Sequence, residues 1–270
     1  MSLKSPLVLG VLVMFMLAIQ IVSQVALPAY AQPLQVRRRV DKGLIVDASY
    51  VVDGRSGAPS FSDLKAAGFN LIGTIAYSSW TPNWEWKKTQ QWVQAAHAAG
   101  FKVMINVLAN NGSKVAGMTQ LAANIGADIV ALDEVISLFP SYMTEARLQS
   151  IIEMGRAANP NLEYFINDWS NANIAKAYQW TTSYPYVRVA EDDYNVKSTI
   201  DWNIQLGKQY GKAPAAWLIF AKGSMNFDCY NNLDQWLTYA HQRNISTLFW
   251  LIDEAGTWNT LWPKVVSYTP

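Results

Sequence analysis

The chain has 270 residues, of which 51% are apolar and only 15% are charged, and its formal net charge is +1. This is an ordinary globular composition with enough apolar mass for one large core. A nearly neutral chain has no general electrostatic attraction to nucleic acids or anionic membranes, so we expect no nucleic acid partner.

The first residues have the pattern of an export signal. Lys4 precedes an apolar run from Leu7 to Val22, and the small-residue motif Ala29-Tyr30-Ala31 follows. A basic start, an apolar stretch and such a motif are typical of a signal peptide, here residues 1–31 with cleavage after Ala31. We therefore expect a secreted, periplasmic or extracellular protein without stable membrane association after cleavage. An uncleaved anchor is the alternative, because the run is long.

Short, mostly apolar segments recur along the rest of the chain and predict eight strands. Continuous apolar runs are expected for strands that are covered on both faces. The predicted strands are Leu44–Ser49, Leu71–Tyr77, Lys102–Leu108, Asp128–Leu132, Glu163–Ile166, Tyr186–Val189, Ala216–Phe220 and Thr247–Ile252.

Longer amphipathic segments between these strands predict eight helices, several of which end at a glycine suited to a left-handed C-terminal residue. The predicted helices are Phe61–Ala67, Trp84–Ala99, Lys114–Ile125, Glu145–Ala158, Ala172–Thr181, Val196–Tyr210, Leu233–Arg243 and Thr260–Val266. Strict alternation of strands and helices predicts a parallel sheet, and eight such units predict an α/β fold of the (β/α)8 TIM barrel type. We assign residues 32–42 to an N-terminal lead-in and residues 43–270 to one catalytic domain.

Acidic and amide residues stand where the predicted strands end, which is the face that forms the active site in barrels of this kind. Four acids directly follow buried strands and are the predicted catalytic residues: Asp133, Glu134, Glu191 and Asp253. Because neighbouring residues of a strand point to opposite faces, we expect only one acid of each adjacent pair to enter the cleft. Capping of the following helix is the alternative role for any single acid.

Carboxyl groups that share a cleft repel one another, and burial penalises their ionisation, so at least one pKa should rise. The result is a proton donor beside an ionised partner, which is the arrangement that glycoside cleavage requires. The sequence is also rich in aromatic residues, with 12 Trp and 13 Tyr, whose rings suit stacking against sugars as well as core packing. The predicted substrate-binding residues are Asp47, Trp80, Asn106, Asp168, Trp169, Asp192, Tyr194, Trp250, Glu254 and Trp258.

These strand ends resemble those of glycoside hydrolase barrels, in particular alpha-galactosidase-type and endo-alpha-1,4-polygalactosaminidase-like enzymes. The resemblance rests on Asp133 in VALDEV, Glu191 in VRVAEDDY and Asn167-Asp168 in FIND. The opening GLIVDASY is similar to lysozyme-type barrels, but the Asp-x-Glu expected on strand four is absent here. The resemblance implies a barrel that hydrolyses an extracellular poly- or oligosaccharide with a carboxylate pair and without a cofactor.

Three other functions remain open at this stage. Clustered carboxylates could hold Mg²⁺ or Mn²⁺ in a metal-dependent hydrolase or isomerase. Alternatively, an inactive barrel could bind carbohydrate only. A zinc site is not predicted, because the two histidines, His97 and His241, fall in predicted helices away from the strand ends. A Schiff-base lyase would require Lys222, which follows predicted strand seven. The oligomeric state is not determined by these patterns.

Overall fold

The structure is a computed structural model, and it describes residues 41–191, 197–212, 215–219, 232–251 and 262–269. The chain divides into two compact units, residues 1–39 and 40–270. All described residues belong to the second unit. The predicted signal peptide, residues 1–31, and Lys222 lie outside the described residues.

The second unit contains a parallel sheet of eight strands with the order β6-β5-β4-β3-β2-β1-β8-β7. Neighbouring strands in this order are hydrogen-bonded, and β6 and β7 at its two ends also lie beside each other, so the sheet curls into a ring. This architecture confirms the predicted (β/α)8 barrel. The strands are β1 (Lys42–Val46), β2 (Leu71–Tyr77), β3 (Lys102–Leu108), β4 (Ile129–Asp133), β5 (Glu163–Asp168), β6 (Val187–Glu191), β7 (Ala215–Ile219) and β8 (Ser246–Leu251).

Helices connect successive strands, as right-handed parallel crossovers require. The described helices are α1 (Ala48–Val51), α2 (Phe61–Ala66), α3 (Glu85–Ala98), α4 (Gly112–Asn124), α5 (Val135–Leu138), α6 (Glu145–Ala158), α7 (Asn171–Trp180), α8 (Lys197–Gln209) and α9 (Leu233–Arg243), and residues 262–267 are also helical. Within the described ranges, every helix is too short or too polar to cross a membrane.

The structure corrects the predicted end of the first strand. The sequence analysis extended that strand to Ser49, whereas β1 ends at Val46. A side-chain oxygen of Asp47 accepts a hydrogen bond from the Ser49 backbone N–H at 2.9 Å, and this contact begins α1. The strand therefore stops because an Asp cap satisfies the first free backbone donor of a helix.

Side chains that alternate along the strands fill the inside of the ring. The inner cluster contains Ile45, Leu71, Ile75, Met104, Ile129, Ala131, Phe165, Ala190 and Leu248. The absence of a side chain at Gly73 leaves room for this inner cluster, because a Cβ there would lie 2.5 Å from Ile45 Cδ1 and 2.8 Å from the Met104 carbonyl oxygen. The interior is thus a packed core, and a ligand can approach it only from an end of the ring.

Ionic contacts close the end of the barrel at which the strands begin. Arg188 donates to Asp41 at 2.8 Å and to Glu163 at 3.2 Å, and Lys102 donates to Glu163 at 2.6 Å. Nearby, the buried Lys212 donates to the backbone carbonyls of residues 181, 184 and 187. These charged side chains hold the first residues of the strands together. The opposite end of the barrel is therefore the accessible mouth.

Candidate functional site

Asp133 is a buried acid at the mouth of the barrel. It is the last residue of β4 and lies opposite Asn167 in the β4–β5 ladder. Its Oδ2 accepts a hydrogen bond from Asn106 Nδ2 at 3.1 Å, and its Oδ1 accepts one from Asn167 Nδ2. Only 7% of Asp133 is exposed. Three neighbouring strands therefore hold one carboxyl group by two amide donors.

The environment of Asp133 acts on its proton affinity in two directions. Burial raises the pKa of Asp133 above its usual range, and the negative charge of Asp168 adds to this effect. The amide groups of Asn167 and Asn106 oppose it, because they donate to the ionised form and so lower the pKa. The two amides are thus the groups that make a buried carboxylate tolerable at this position.

Glu134 follows Asp133 in a left-handed backbone conformation, with φ 49° and ψ 23°. Its backbone N–H donates to the Asn167 carbonyl oxygen at 3.0 Å, so the ladder continues for one residue past β4. Burial, followed by the charges of Asp133 and Asp168, raises the pKa of Glu134 to about 7. A strained non-glycine residue that carries a carboxyl with a strongly raised pKa is a marker of a functional site.

Asp168 has a structural part in this site. It is 1% exposed and accepts hydrogen bonds from Ser137 N at 3.1 Å, Ser137 Oγ at 2.5 Å and Ser170 N at 2.9 Å. Ser137 Oγ in turn accepts from Asn173 Nδ2 at 2.8 Å. These bonds tie α5, which begins directly after Glu134, to the start of α7. Asp168 was predicted to bind substrate, whereas the structure buries it as a support for the backbone next to Glu134.

A second polar pair lies on the β1–β2 side of the mouth. Tyr77 ends β2 on the same face as Ile75, and its hydroxyl donates to Asp47 Oδ2 at 3.1 Å. Burial, followed by the charge of Asp47, raises the pKa of Tyr77 to about 12. Asp47 is among the predicted substrate-binding residues, whereas Tyr77 is not. Alternation along β2 from the inner residues Leu71 and Ile75 would have identified it.

Aromatic residues surround this polar centre on the strand-to-helix connections. Trp80 is partly buried and packs edge-on against Tyr77 and Trp86, with ring centroids 6.3 and 5.4 Å apart. Trp169 directly follows β5 and is 52% exposed, and Trp84 precedes α3 and is 49% exposed. Of the tryptophans that were predicted to bind substrate, Trp169 is thus open to solvent while Trp80 is mainly a packing residue.

For two predicted site residues the structure describes only the backbone, and for several others it describes neither backbone nor side chain. Glu191 ends β6 and lies opposite Asp168 in the ladder, whereas Asn167, the partner of Asp133, lies opposite Ala190. Trp250 lies within β8 opposite Ile45. The side chains of Glu191 and Trp250 are outside the described part of the structure, as are residues Asp192, Tyr194, Asp253, Glu254 and Trp258 altogether.

Among the described residues, no three His, Cys, Asp or Glu side chains are grouped so that they could hold a metal ion. His97 instead pairs with Asp128, with 2.8 Å between Nε2 and Oδ2. His241 Nδ1 lies 3.2 Å from the Thr269 carbonyl oxygen. Both histidines are therefore engaged on the outer helices, away from Asp133.

No protein-family model matches the chain, and no curated protein matches it. Solved barrel structures do match. A thermostable, halotolerant GH5 cellulase from an Icelandic hot spring isolate is 14% identical, with a TM-score of 0.57 over 80% of this chain and 75% of that protein.

Two further matches carry other activities in their names. A xylose isomerase domain protein from Planctomyces limnophilus is 11% identical, with a TM-score of 0.54 over 85% of this chain and 98% of its own. An aldolase called QR15 is 10% identical, with a TM-score of 0.51 over 86% and 99%. At these identities the likeness establishes the barrel fold, and the resemblance to glycoside hydrolases is supported only at that level.

Proposed function

We propose that this protein is a glycoside hydrolase that acts on an extracellular poly- or oligosaccharide with Glu134 as the general acid and Asp133 as the second carboxyl of the pair. One observation carries the proposal. Two successive carboxyls lie at the mouth of the barrel, one held by two amide donors and the other with its pKa raised to about 7. Pairs of carboxyls whose surroundings divide the two roles in this way are the basis of glycoside hydrolysis.

The environment of each carboxyl fits one part of the reaction. A carboxyl with a pKa near 7 keeps its proton in about half of the molecules at neutral pH and can readily release it, so Glu134 can protonate the departing glycosidic oxygen. The bond from the anomeric carbon to that oxygen breaks, and its electron pair stays on the oxygen. Asp133 stabilises the positive charge that develops at the anomeric carbon or attacks this carbon directly. Water then supplies the new hydroxyl group, and its proton returns to Glu134.

The binding groups around the mouth are also those that a sugar requires. Trp169 presents an exposed aromatic ring, and Asp47 and Tyr77 are a hydrogen-bonding pair on the other side. The flat apolar face of a sugar ring stacks on aromatic rings, while its hydroxyl groups need polar partners. The export signal expected at residues 1–31 would place the protein where polysaccharides are found.

The hydrogen bonds that Asp133 accepts fit a metal-independent hydrolase better than a metal-dependent one. Both oxygens of Asp133 already accept amide N–H bonds, and amide nitrogens are not ligands for Mg²⁺ or Mn²⁺. A divalent ion at this position would have to share the Asp133 oxygens with the two amide donors, whose N–H groups point at the same carboxyl.

The proposal is tested by hydrolysis of a polysaccharide panel by the purified protein and by its Asp133→Asn and Glu134→Gln variants. We expect the variants to lose activity by roughly 10²- to 10⁴-fold while their affinity for the substrate stays within about threefold. Glu145→Gln, on the exposed surface of α6, is the matched control and should retain activity. Full activity of Glu134→Gln would refute the assignment of the acid. Binding without hydrolysis by the native protein would instead identify a carbohydrate-binding barrel.

A further inference from the structure

Large apolar side chains are exposed at very few places on the described surface. Four such residues are exposed by more than a third: Trp84, Leu138, Trp169 and Val266. Three of them belong to segments that follow strands β2, β4 and β5, and they therefore lie on the mouth side of the barrel. Exposed apolar groups that gather at one end of a protein mark a binding surface.

The two tryptophans lie on opposite sides of the acid pair. In the sheet order, β3 and β4 stand between β2, which precedes Trp84, and β5, which precedes Trp169. Asp133 and Glu134 end β4, and Leu138 ends the short helix α5 that follows them. A ligand that reaches from one tryptophan to the other along this side of the mouth therefore passes the ends of β3 and β4, where the acid pair stands.

One of these rings is held in place by a neighbouring cation. Lys88 Nζ lies 4.4 Å from the centroid of the Trp84 ring and also donates to the Val52 carbonyl oxygen at 2.8 Å. An exposed ring that is fixed in this way loses little side-chain entropy when a ligand stacks on it. Trp84 therefore has the properties of a preformed platform.

We infer that the mouth binds an extended glycan chain, with sugar units on both sides of the bond that is cleaved, between the platforms Trp84 and Trp169. The inference rests on the proposed function and deepens it, because a chain that runs past the acids in both directions is cut internally. A glycan suits two separate aromatic platforms with acids between them, since its units repeat apolar faces between polar edges. A protein partner or a lipid surface would require a continuous apolar patch instead of rings separated by Asp133, Glu134 and Asp168.

The test is the dependence of affinity on chain length. Binding of cello-, xylo-, malto- and galacto-oligosaccharides of two to six units is measured by calorimetry in the Glu134→Gln background, which prevents turnover. We expect affinity to rise with length and to fall roughly threefold to tenfold for the hexamer in both Trp84→Ala and Trp169→Ala. The dimer should lose less than about twofold in each variant, because it does not span both platforms. Val266→Ala, exposed on helical residues 262–267, is the matched control.

A second variant and a second readout keep the inference falsifiable. Trp169→Tyr keeps an aromatic face and should recover most of the hexamer affinity, whereas a variant that fails only through misfolding would show a lower melting temperature. Hexamer affinity that is unchanged in both alanine variants overturns the inference and leaves the proposed hydrolysis intact. A loss in only one of them indicates a one-sided pocket and overturns it as well.

The two proposals fail in distinguishable ways. If the native protein hydrolyses none of the panel, migration in native gels that contain soluble polysaccharides still reports binding. Retardation of the native protein that is lost in both tryptophan variants would then support the extended binding surface, while the proposed hydrolysis would be wrong. Retardation that persists in both variants would refute the surface itself.

Discussion

Replacing Glu134 by Gln should increase the stability of the protein, and this increase should depend on pH. The pKa of Glu134 is about 7 in the folded protein and 4.5 in its ordinary state. Between these values the folded state keeps a proton that the unfolded chain releases, so the free energy of unfolding falls as pH rises through this window. At about 1.4 kcal/mol per pKa unit, the loss approaches about 3 kcal/mol by pH 8.

Gln cannot ionise, so the variant avoids this loss. Because Glu134 is partly accessible to solvent, screening reduces the effect, and we expect a gain of about 2 kcal/mol at pH 8. Near pH 4, where the carboxyl is protonated in both states, the two proteins should have nearly equal free energies of unfolding. A gain in stability together with a loss of activity is the behaviour of a residue kept for function.

The assay is urea unfolding of the native protein and the variant at pH 4 and pH 8, followed by tryptophan fluorescence. Glu145→Gln, which removes an exposed carboxyl from α6, should change the free energy of unfolding by less than about 0.5 kcal/mol at either pH. If Glu134→Gln destabilises the protein, or changes its stability equally at both values of pH, then burial and the neighbouring charges do not act on Glu134 as we have argued.

Three further predictions concern packing, proton affinity and metal dependence. Gly155→Ala should destabilise the protein by roughly 2 kcal/mol or more, because the new Cβ would lie 2.0 Å from Tyr164 Oη; a melting temperature within a degree of the native value would contradict this. Asn167→Leu removes a hydrogen-bond donor to Asp133 and should raise the pKa of Asp133, which moves the acidic limb of the pH–activity profile to higher pH. An acidic limb that stays in place would contradict the role given to Asn167 in stabilising the ionised form of Asp133. Activity should survive EDTA, and a loss restored by added Mg²⁺ would favour the metal-dependent alternative.

The regular elements were the most predictable part of the protein. The bounds predicted for β2, β3, α6 and α9 agree with the structure. Each is long enough for its apolar pattern to be read with confidence from the chain alone. The helices α1 and α5 were missed, because four residues are too few to show a helical period. Their formation depends on contacts of Asp47 and Asp168 with the backbone that follows.

The sequence predicted the site only in part. The details that it did not provide depend on the register of neighbouring strands. The sequence placed Asp133 and Glu134 at a strand end but left open which of them enters the cleft. The ladder places Asp133 on the inner face opposite Asn167, and the left-handed conformation of Glu134 after the end of β4 removes the strict alternation that would have turned its side chain to the opposite face. The positive φ of Glu134 could not be anticipated either, because nothing in its neighbours demands a conformation that usually belongs to glycine.

The order of strands and helices, and with it the barrel, follows from local apolar patterns, because each βα unit buries the same kinds of faces wherever it stands in the chain. Local patterns also concentrate acids at one end of the strands. Which acids are buried, which amides donate to them and which tryptophans remain exposed was decided only by closure of the ring. That outcome depends on residues such as Asn106 and Asn167, which are 61 positions apart in numbering yet contact the same carboxyl group.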